Sequence, residues 1–226
     1  MAAAQRILVV DIGGSHVKFA MRRRAMTRFE SGPRLEPGHM VEEIRELTQD
    51  WKYDVVSIGY PGIVMRGRIA REPHNLGKGW KGFNFQKAFG MPVKVINDAA
   101  MQALGAYRGG VMLFLGLGTG LGTALIVDRT VVPMELAHLH LPGEDDTFEN
   151  LVGEAARKRC GNKQWRRNVK HVVDALREAL LPEDIVIGGG NVDHLKRMPT
   201  LSRRGNNQDA FAGGLRLWDE RGGRPV

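Results

Sequence analysis

Arg6-Ile-Leu-Val-Val-Asp-Ile-Gly-Gly-Ser-His-Val-Lys-Phe-Ala-Met21 is the stretch on which the reading of this chain turns. Residues 6–12 form a short, nearly continuous apolar run, which predicts a buried strand. Gly13-Gly14-Ser15 breaks the run, and residues 16–21 return as a second strand. A unit of the same form recurs later: Val111-Met-Leu-Phe-Leu115, the turn Gly116-Leu-Gly-Thr-Gly-Leu-Gly122, then a strand over residues 123–127. Aligning Asp11 with Gly116 sets Gly13 opposite Gly118. Strand, glycine turn and strand in each half predict a duplicated α/β architecture.

Between and beyond the two units the pattern alternates. Pro37-Gly38 opens a helix with Val41, Ile44, Leu47 and Trp51 on its apolar face, and residues 53–58 return as a strand ended by Pro61-Gly62. Strands are expected over residues 64–70 and 93–96, and Asn97-Asp98 caps a helix running to residue 107. A helix over residues 164–181 carries Trp165, Val169, Val172, Val173, Leu176 and Leu180 on one face. Residues 184–187 then form a strand leading into Gly188-Gly-Gly190. A loop over residues 203–207 precedes a last helix over residues 208–218.

Composition narrows the class. With 226 residues, 42% of them hydrophobic, the chain can bury one sizeable core or two small ones. No apolar run is long enough for a signal peptide or a membrane span, so a cytoplasmic protein with no membrane partner is expected. The single Cys160 makes neither an internal disulfide nor a cysteine-rich zinc site, and zinc is not expected. A net charge of +8 attracts polyanions. The basic stretch lacks a recognition helix and interleaved aromatics other than Trp165, which argues against nucleic acid and for a phosphate-rich substrate.

The turn from Gly116 to Gly122 fits neither the dinucleotide fingerprint nor the phosphate loop ending in Gly-Lys-Ser/Thr. It leaves a backbone free of Cβ atoms around Thr119, able to bring N–H groups and one hydroxyl up to a phosphate; the bland alternative is an ordinary hairpin turn. Two roles are open to Asp11, at the carboxyl end of its strand: holding a hydrated Mg²⁺ against donor phosphates, or bonding the amides of Gly13 or Gly14. Lys18 either neutralises phosphate charge or is solvated. Asp98 reads as a helix N-cap and, without contradiction, as a proton acceptor for a hydroxyl. Glu135, His138 and His140 superficially suggest a His-x-His metal site, but no further ligands accompany them. Asn97, Asp98, Glu135 and His138 instead suit a sugar, each of whose buried hydroxyls requires a partner.

With these residues in place, the chain resembles the ROK family of sugar kinases nearly end to end, and within it the polyphosphate glucokinase subgroup. The motifs are Asp11-Ile-Gly-Gly-Ser-His-Val-Lys18, Val95-Ile-Asn-Asp98, Leu115-Gly-Leu-Gly-Thr-Gly-Leu-Gly122 and Ile187-Gly-Gly-Gly-Asn191. Thr147-Phe-Glu-Asn-Leu-Val-Gly153, Gly161-Asn-Lys-Gln-Trp165 and Ala210-Phe-Ala-Gly-Gly-Leu-Arg-Leu-Trp218 are similar to the polyphosphate-using members.

The resemblance implies an actin-like ATPase-domain (ribonuclease H-like) α/β fold with a central cleft. It implies a first domain over residues 1–108, onto which a helix at about 208–220 packs back, and a second over residues 109–207. It implies Asp98 as catalytic base and Asn97, Glu135, His138, Glu149 and Asn75 around a hexose. Asp11, Gly13, Gly14, Ser15, Lys18, Gly118, Thr119 and Gly120 would surround the transferring phosphoryl group, with Gly189 and Gly190 bordering the nucleotide or the distal chain. It also implies Mg²⁺ at Asp11, directly or through water, polyphosphate or ATP as donor, and a homodimer. Leu136-Ala137 departs from the family's Gly between Glu and His, so the Ala137 methyl is expected to crowd the pocket. The segment after Met21 is short for the family. Finally, Arg157, Lys158, Arg159, Lys163, Arg166, Arg167 and Lys170 place seven cations within fourteen residues, a candidate surface for a long polyanion.

Overall fold

The computed structural model describes residues 5–22, 24–143, 145–206, 208–219 and 224–225. Asn207, Glu220 and residues 1–4, which the expected domain and helix bounds include, lie outside them.

The first sheet is built from β1 (Ile7–Ile12), β2 (His16–Met21) and β3 (Thr27–Glu30), then, after helix α1 (Pro37–Leu47), β4 (Val55–Tyr60). A small hairpin, β5 (Val64–Met65) and β6 (Arg68–Ile69), and helix α2 (Phe85–Phe89) precede β7 (Val93–Asn97) and helix α3 (Asp98–Ala106). The strand order is β3-β2-β1-β4-β7, antiparallel across the β1 and β2 hairpin and parallel from β1 through β4 to β7. β8 (Val111–Leu117), β9 (Leu121–Val127) and β10 (Thr130–Met134) open the second sheet. After helices α4 (Phe148–Val152) and α5 (Glu154–Leu180) come β11 (Asp184–Gly188), β12 (Ser202–Arg204), helix α6 (Asp209–Arg216) and β13 (Arg224–Pro225). The order there is β12-β11-β8-β9-β10-β13, so the duplicated hairpin sits beside a parallel crossover in both sheets.

Three cores follow from this layering. Leu8, Val10, Ile12, Phe19 and Ile58 meet Met40, Val41 and Ile44 of α1 on the outer side of the first sheet. Leu113, Leu115, Ile185 and Ile187 meet Trp165, Val169 and Val173 of α5 on the outer side of the second. Between them, Val9, Ile96, Met112, Phe114 and Val186 pack with α3 and α6. These two helices cross so closely that a Cβ on Gly105 would collide with the Asp209 carbonyl, and one on Gly213 with the Met101 carbonyl. The last carbonyls of α3 are gripped from two sides. Arg216 donates to Leu104, Gly105 and Tyr107, and Arg203, itself paired with Asp184 at 2.7 Å, donates to Ala106. Both cations suit the negative end of a helix.

Several boundaries differ from the sequence reading. α1 stops at Leu47, which is 44% exposed: Thr48, at φ -114° and ψ 17°, leaves the helix, its hydroxyl donating to the Ile44 carbonyl. Trp51 therefore reaches the core from the following loop, against Phe19. The strand expected over residues 64–70 is two short strands turned at Arg66 and Gly67, both at positive φ. α5 is two helical segments that meet at Gly161, whose φ 74° and ψ 161° are not helical; the helix expected from Gln164 is the second, and a further segment from Glu154 precedes it. Among the described residues no helix is long and apolar enough to cross a membrane.

Candidate active site

Asp98 opens α3 at the point where β7 ends, and its neighbour frees it from capping. The Asn97 side chain accepts from the Ala100 N–H at 3.0 Å and donates to the Gly62 carbonyl at 3.0 Å, so Asn97, not Asp98, is the N-cap. The Asp98 carboxylate accepts from the Ala99 N–H at 2.8 Å and is also met by its own amide. Burial first, then the charge of Asp11 and more weakly that of Glu135, push the Asp98 carboxyl up to about 7. Asp11 is itself pushed up by burial, only partly offset by Lys18, which stands directly opposite it on β2. Two crowded carboxylates at one place are a cation-seeking arrangement. Among the described residues no group of three or more His, Cys, Asp or Glu side chains is gathered closely enough to hold a metal alone. A divalent cation here would need donor phosphate oxygens among its ligands, and Asp11 fits that demand.

The glycine turns stand at the ends of the two hairpins. In the first, the Gly13 N–H donates to the His16 carbonyl at 2.9 Å, and Ser31 ties down the Gly13 carbonyl. Asn75 lies over Gly14. In the second, the Gly118 N–H donates to the Gly120 carbonyl at 3.1 Å, and the Glu154 N–H, opening α5, donates to Gly118 and Thr119. Glu149, in the first turn of α4, leans against Gly120. Gly189, at φ +82°, presses on the Leu117 backbone, which brings the turn at residues 188–190 beside the turn at residues 118–120.

Glu135 lies beside His138, Glu149 and Arg71; burial raises its carboxyl, His138 and Arg71 pull it back and Glu149 adds to the rise. Glu135, His138, Glu149 and Asn75 are all exposed, so this side of the cleft is open. Ala137 corrects an expectation: its methyl is 3% exposed and packs in the core under α4 and α5, so it does not crowd the pocket.

Sequence reasoning missed four supports. Thr123 is buried, donates to the Met134 carbonyl at 2.9 Å and accepts from the Leu136 N–H, which fixes the turn bearing Glu135. Asn191 is buried, donates to the Gly118 carbonyl at 2.8 Å and accepts from Arg157 at 3.1 Å, joining two turns and α5. Tyr60 hydrogen-bonds the Arg71 carbonyl, and Arg71 reaches the Glu135 side of the cleft. Only Asn191, adjoining three glycines, carried a signal in the sequence. The basic run on α5 is largely engaged: Arg157 with Asn191, Lys158 with Glu154, Arg159 with the Asn150 carbonyl, Arg166 with the His194 carbonyl and Lys170 with Asp174.

The profile of the ROK family matches residues 7–133, more than half of the chain. Polyphosphate glucokinase of Mycobacterium tuberculosis (strain CDC 1551 / Oshkosh) is 28% identical over 148 residues, covering 60% of this chain and 56% of that protein. The Mycobacterium leprae (strain TN) polyphosphate glucokinase is 24% identical over 203 residues, covering 80% and 62%. The chain thus spans about three fifths of the length of these curated relatives. Among solved structures, the inorganic polyphosphate/ATP-glucomannokinase from Arthrobacter sp. strain KM superposes with a TM-score of 0.77 at 24% identity, covering 93% of this chain and 97% of that one. A ROK family glucokinase from Streptomyces griseus, in complex with glucose and AMPPNP, superposes at 0.74 with 17% identity, covering 94% and 98%. The fold is the actin-like ATPase fold, α/β with two mixed sheets. The chain belongs to the ROK family.

Proposed function

We propose that the chain is a sugar kinase that transfers a phosphoryl group from polyphosphate or ATP to the 6-hydroxyl of glucose or a similar hexose. The observation that carries this reading is Asp98: a carboxyl at a helix start, pushed up to about 7, flanked by Asp11 on the donor side and Glu135 on the sugar side. A base poised near neutrality suits a hydroxyl that loses its proton late in an in-line displacement. In this reading Asn97, Glu135, His138, Glu149 and Asn75 orient the hexose. Asp98 takes the proton from the 6-hydroxyl as its oxygen bonds to the terminal phosphorus and the phosphoanhydride bond to the rest of the donor breaks. The amides of the turns at residues 13–15 and 118–120 face the charge on the transferring group. Mg²⁺, when bound at Asp11 directly or through water, would neutralise donor charge. Gly189 and Gly190 border the rest of the donor. The two sheets, divided near residue 108, act as domains closing over the cleft, and the enzyme works as a cytoplasmic homodimer without zinc, nucleic acid or membrane.

The test is Asp98→Asn. Turnover with glucose, mannose and glucosamine, each with polyphosphate and with ATP, should fall by roughly three orders of magnitude or more while the fold survives, since Asn97 supplies the cap. Folded Asp98 holds its proton to about 7, and an unfolded carboxyl releases it near 3.8, so native stability falls as pH rises through that interval. Asp98→Asn should therefore melt above wild type at pH 8, the gap closing toward pH 4. Near-normal turnover in the variant would remove Asp98 as the base.

A further inference from the structure

Strand register places Asp11 directly opposite Lys18, and Lys18 directly opposite Arg28. Directly opposed residues share a face of the sheet, so β1, β2 and β3 present an acid and two cations in one row. Val9, two residues from Asp11, touches Gly214 of α6, which identifies the face as the inner one. Like charges directly opposed on neighbouring strands weaken a sheet. Among the described residues neither Lys18 nor Arg28 forms a salt bridge; the Asp11 charge opposite Lys18 offsets the row only in part, one acid against two cations. Asp11 and Lys18 of the row line a cavity of about 250 Å³, with Ala20 and Met26 beside them and Gln208 and Phe211 of the α6 start opposite, and Arg28 stands exposed one strand further out. A local rule broken beside a cavity, at the donor side of Asp11, marks a site for an anion.

We propose that Lys18 and Arg28 are successive anchors for the phosphoanhydride tail of the donor. The chain behind the transferring phosphoryl group then leaves over the inner face of β2 and β3, not along α5. The assignment rests on the phosphotransferase reading above. It also accounts for α5: five of its seven cations already have protein partners, whereas Arg28 is exposed and Lys18, facing Asp11, lines the cavity.

The experiment is equilibrium binding of long-chain polyphosphate, tripolyphosphate and ATP, followed by calorimetry without sugar, on wild type, Arg28→Gln, Arg28→Glu and Arg167→Glu. Arg28→Glu should weaken long-chain polyphosphate by roughly tenfold. Arg28→Gln should lower the slope of log affinity against log salt by about one. ATP should lose less, because a short donor reaches Lys18 and not Arg28, and Arg167→Glu should bind as wild type does. Arg28→Gln should melt no lower than wild type, since it removes a repulsion. Unchanged binding in Arg28→Glu, equal losses in Arg28→Glu and Arg167→Glu, or an equal loss for ATP and the long chain would each overturn the assignment. Phosphorylation by wild type, assayed in parallel with both donors, separates the two readings. Transfer together with unaltered Arg28→Glu binding sinks the tail site alone. No transfer from either donor sinks the kinase reading, while the binding series still decides Arg28.

Discussion

The turns Gly13-Gly14-Ser15 and Gly118-Thr119-Gly120 each join antiparallel strands through three residues, and their surroundings differ. A Cβ on Gly14 would meet Asn75 at 3.5 Å, an ordinary contact. Around the second turn, a Cβ on Gly120 would strike the Glu149 carboxylate, one on Gly153 would come to 2.8 Å from the Thr119 carbonyl, and one on Gly189 would strike the Leu117 backbone. The flanks differ too: the first turn follows Asp11, whose counterpart before the second is Gly116. Glycine runs that look alike in the sequence thus answer to two demands. At Gly14 the first turn keeps its face clear for something from outside, although a Cβ on Gly13 would come to 3.1 Å from the His16 carbonyl; the second turn is open at Gly118, but at Gly120, Gly153 and Gly189 it is crowded by the protein's own chain, and it carries no charge of its own.

Gly189→Ala puts the largest strain on this contrast. It combines φ +82° with a backbone collision that no side chain can relieve, and should cost on the order of 3 kcal/mol in denaturant unfolding. A loss under half a kcal/mol would show that the second turn is not held by crowding.

Next is Asp11→Asn, which tests the charge on the first turn. Asp98 must be ionised to accept a proton, so kcat/KM should fall as pH drops through about 7. Without the Asp11 charge the Asp98 carboxyl is less raised, and the midpoint of that fall should move to lower pH. An unmoved midpoint would separate the two carboxylates. Gly120→Ala should cost no more than about 1 kcal/mol, because the atom in its way ends a flexible side chain, yet raise KM for the sugar by displacing Glu149. Smallest of all, Gly14→Ala should leave the melt within about 0.5 kcal/mol of wild type while raising KM for the donor. A melt lowered as far as that of Gly189→Ala would erase the difference between the turns.

Both hairpins, the strand ending at Asn97 and the helix behind it were legible because short apolar runs broken by glycines and an Asn-Asp pair are local signals. Where the bounds differed, local backbone geometry overrode periodicity: the chain leaves the helix at Thr48, short of Trp51, and Gly161, at non-helical φ and ψ, separates a preceding helix from the one expected at residue 164. The candidate site residues came from the motifs that carry the resemblance, and the structure places Asp11, Asp98, Glu135, His138 and Glu149 near one another. Thr123, Tyr60 and Arg71 were not, because each acts through partners on other elements, and Asn191, though it stood in a motif, showed nothing of its bond to Gly118, which lies far away in the chain. The Lys18 and Arg28 pairing was hidden for the same reason: register between β2 and β3 is set by the pleat and the turn, and a cation looks the same beside solvent or beside another cation.

The crossing of α3 and α6 fixes when the middle core of this protein can close. Val9, Ile96 and Met101 belong to the middle core, yet the helix that completes it ends at Arg216. On the ribosome, the first sheet therefore emerges with its inner face bare. The carbonyls of Leu104, Gly105 and Tyr107 wait for Arg216, and the Ser57 hydroxyl waits for the Gly214 carbonyl. Translation runs from the first sheet to the last helix, so the middle core cannot close until that helix has been synthesised, and the apolar inner face of the first sheet stays uncovered on the nascent chain until then.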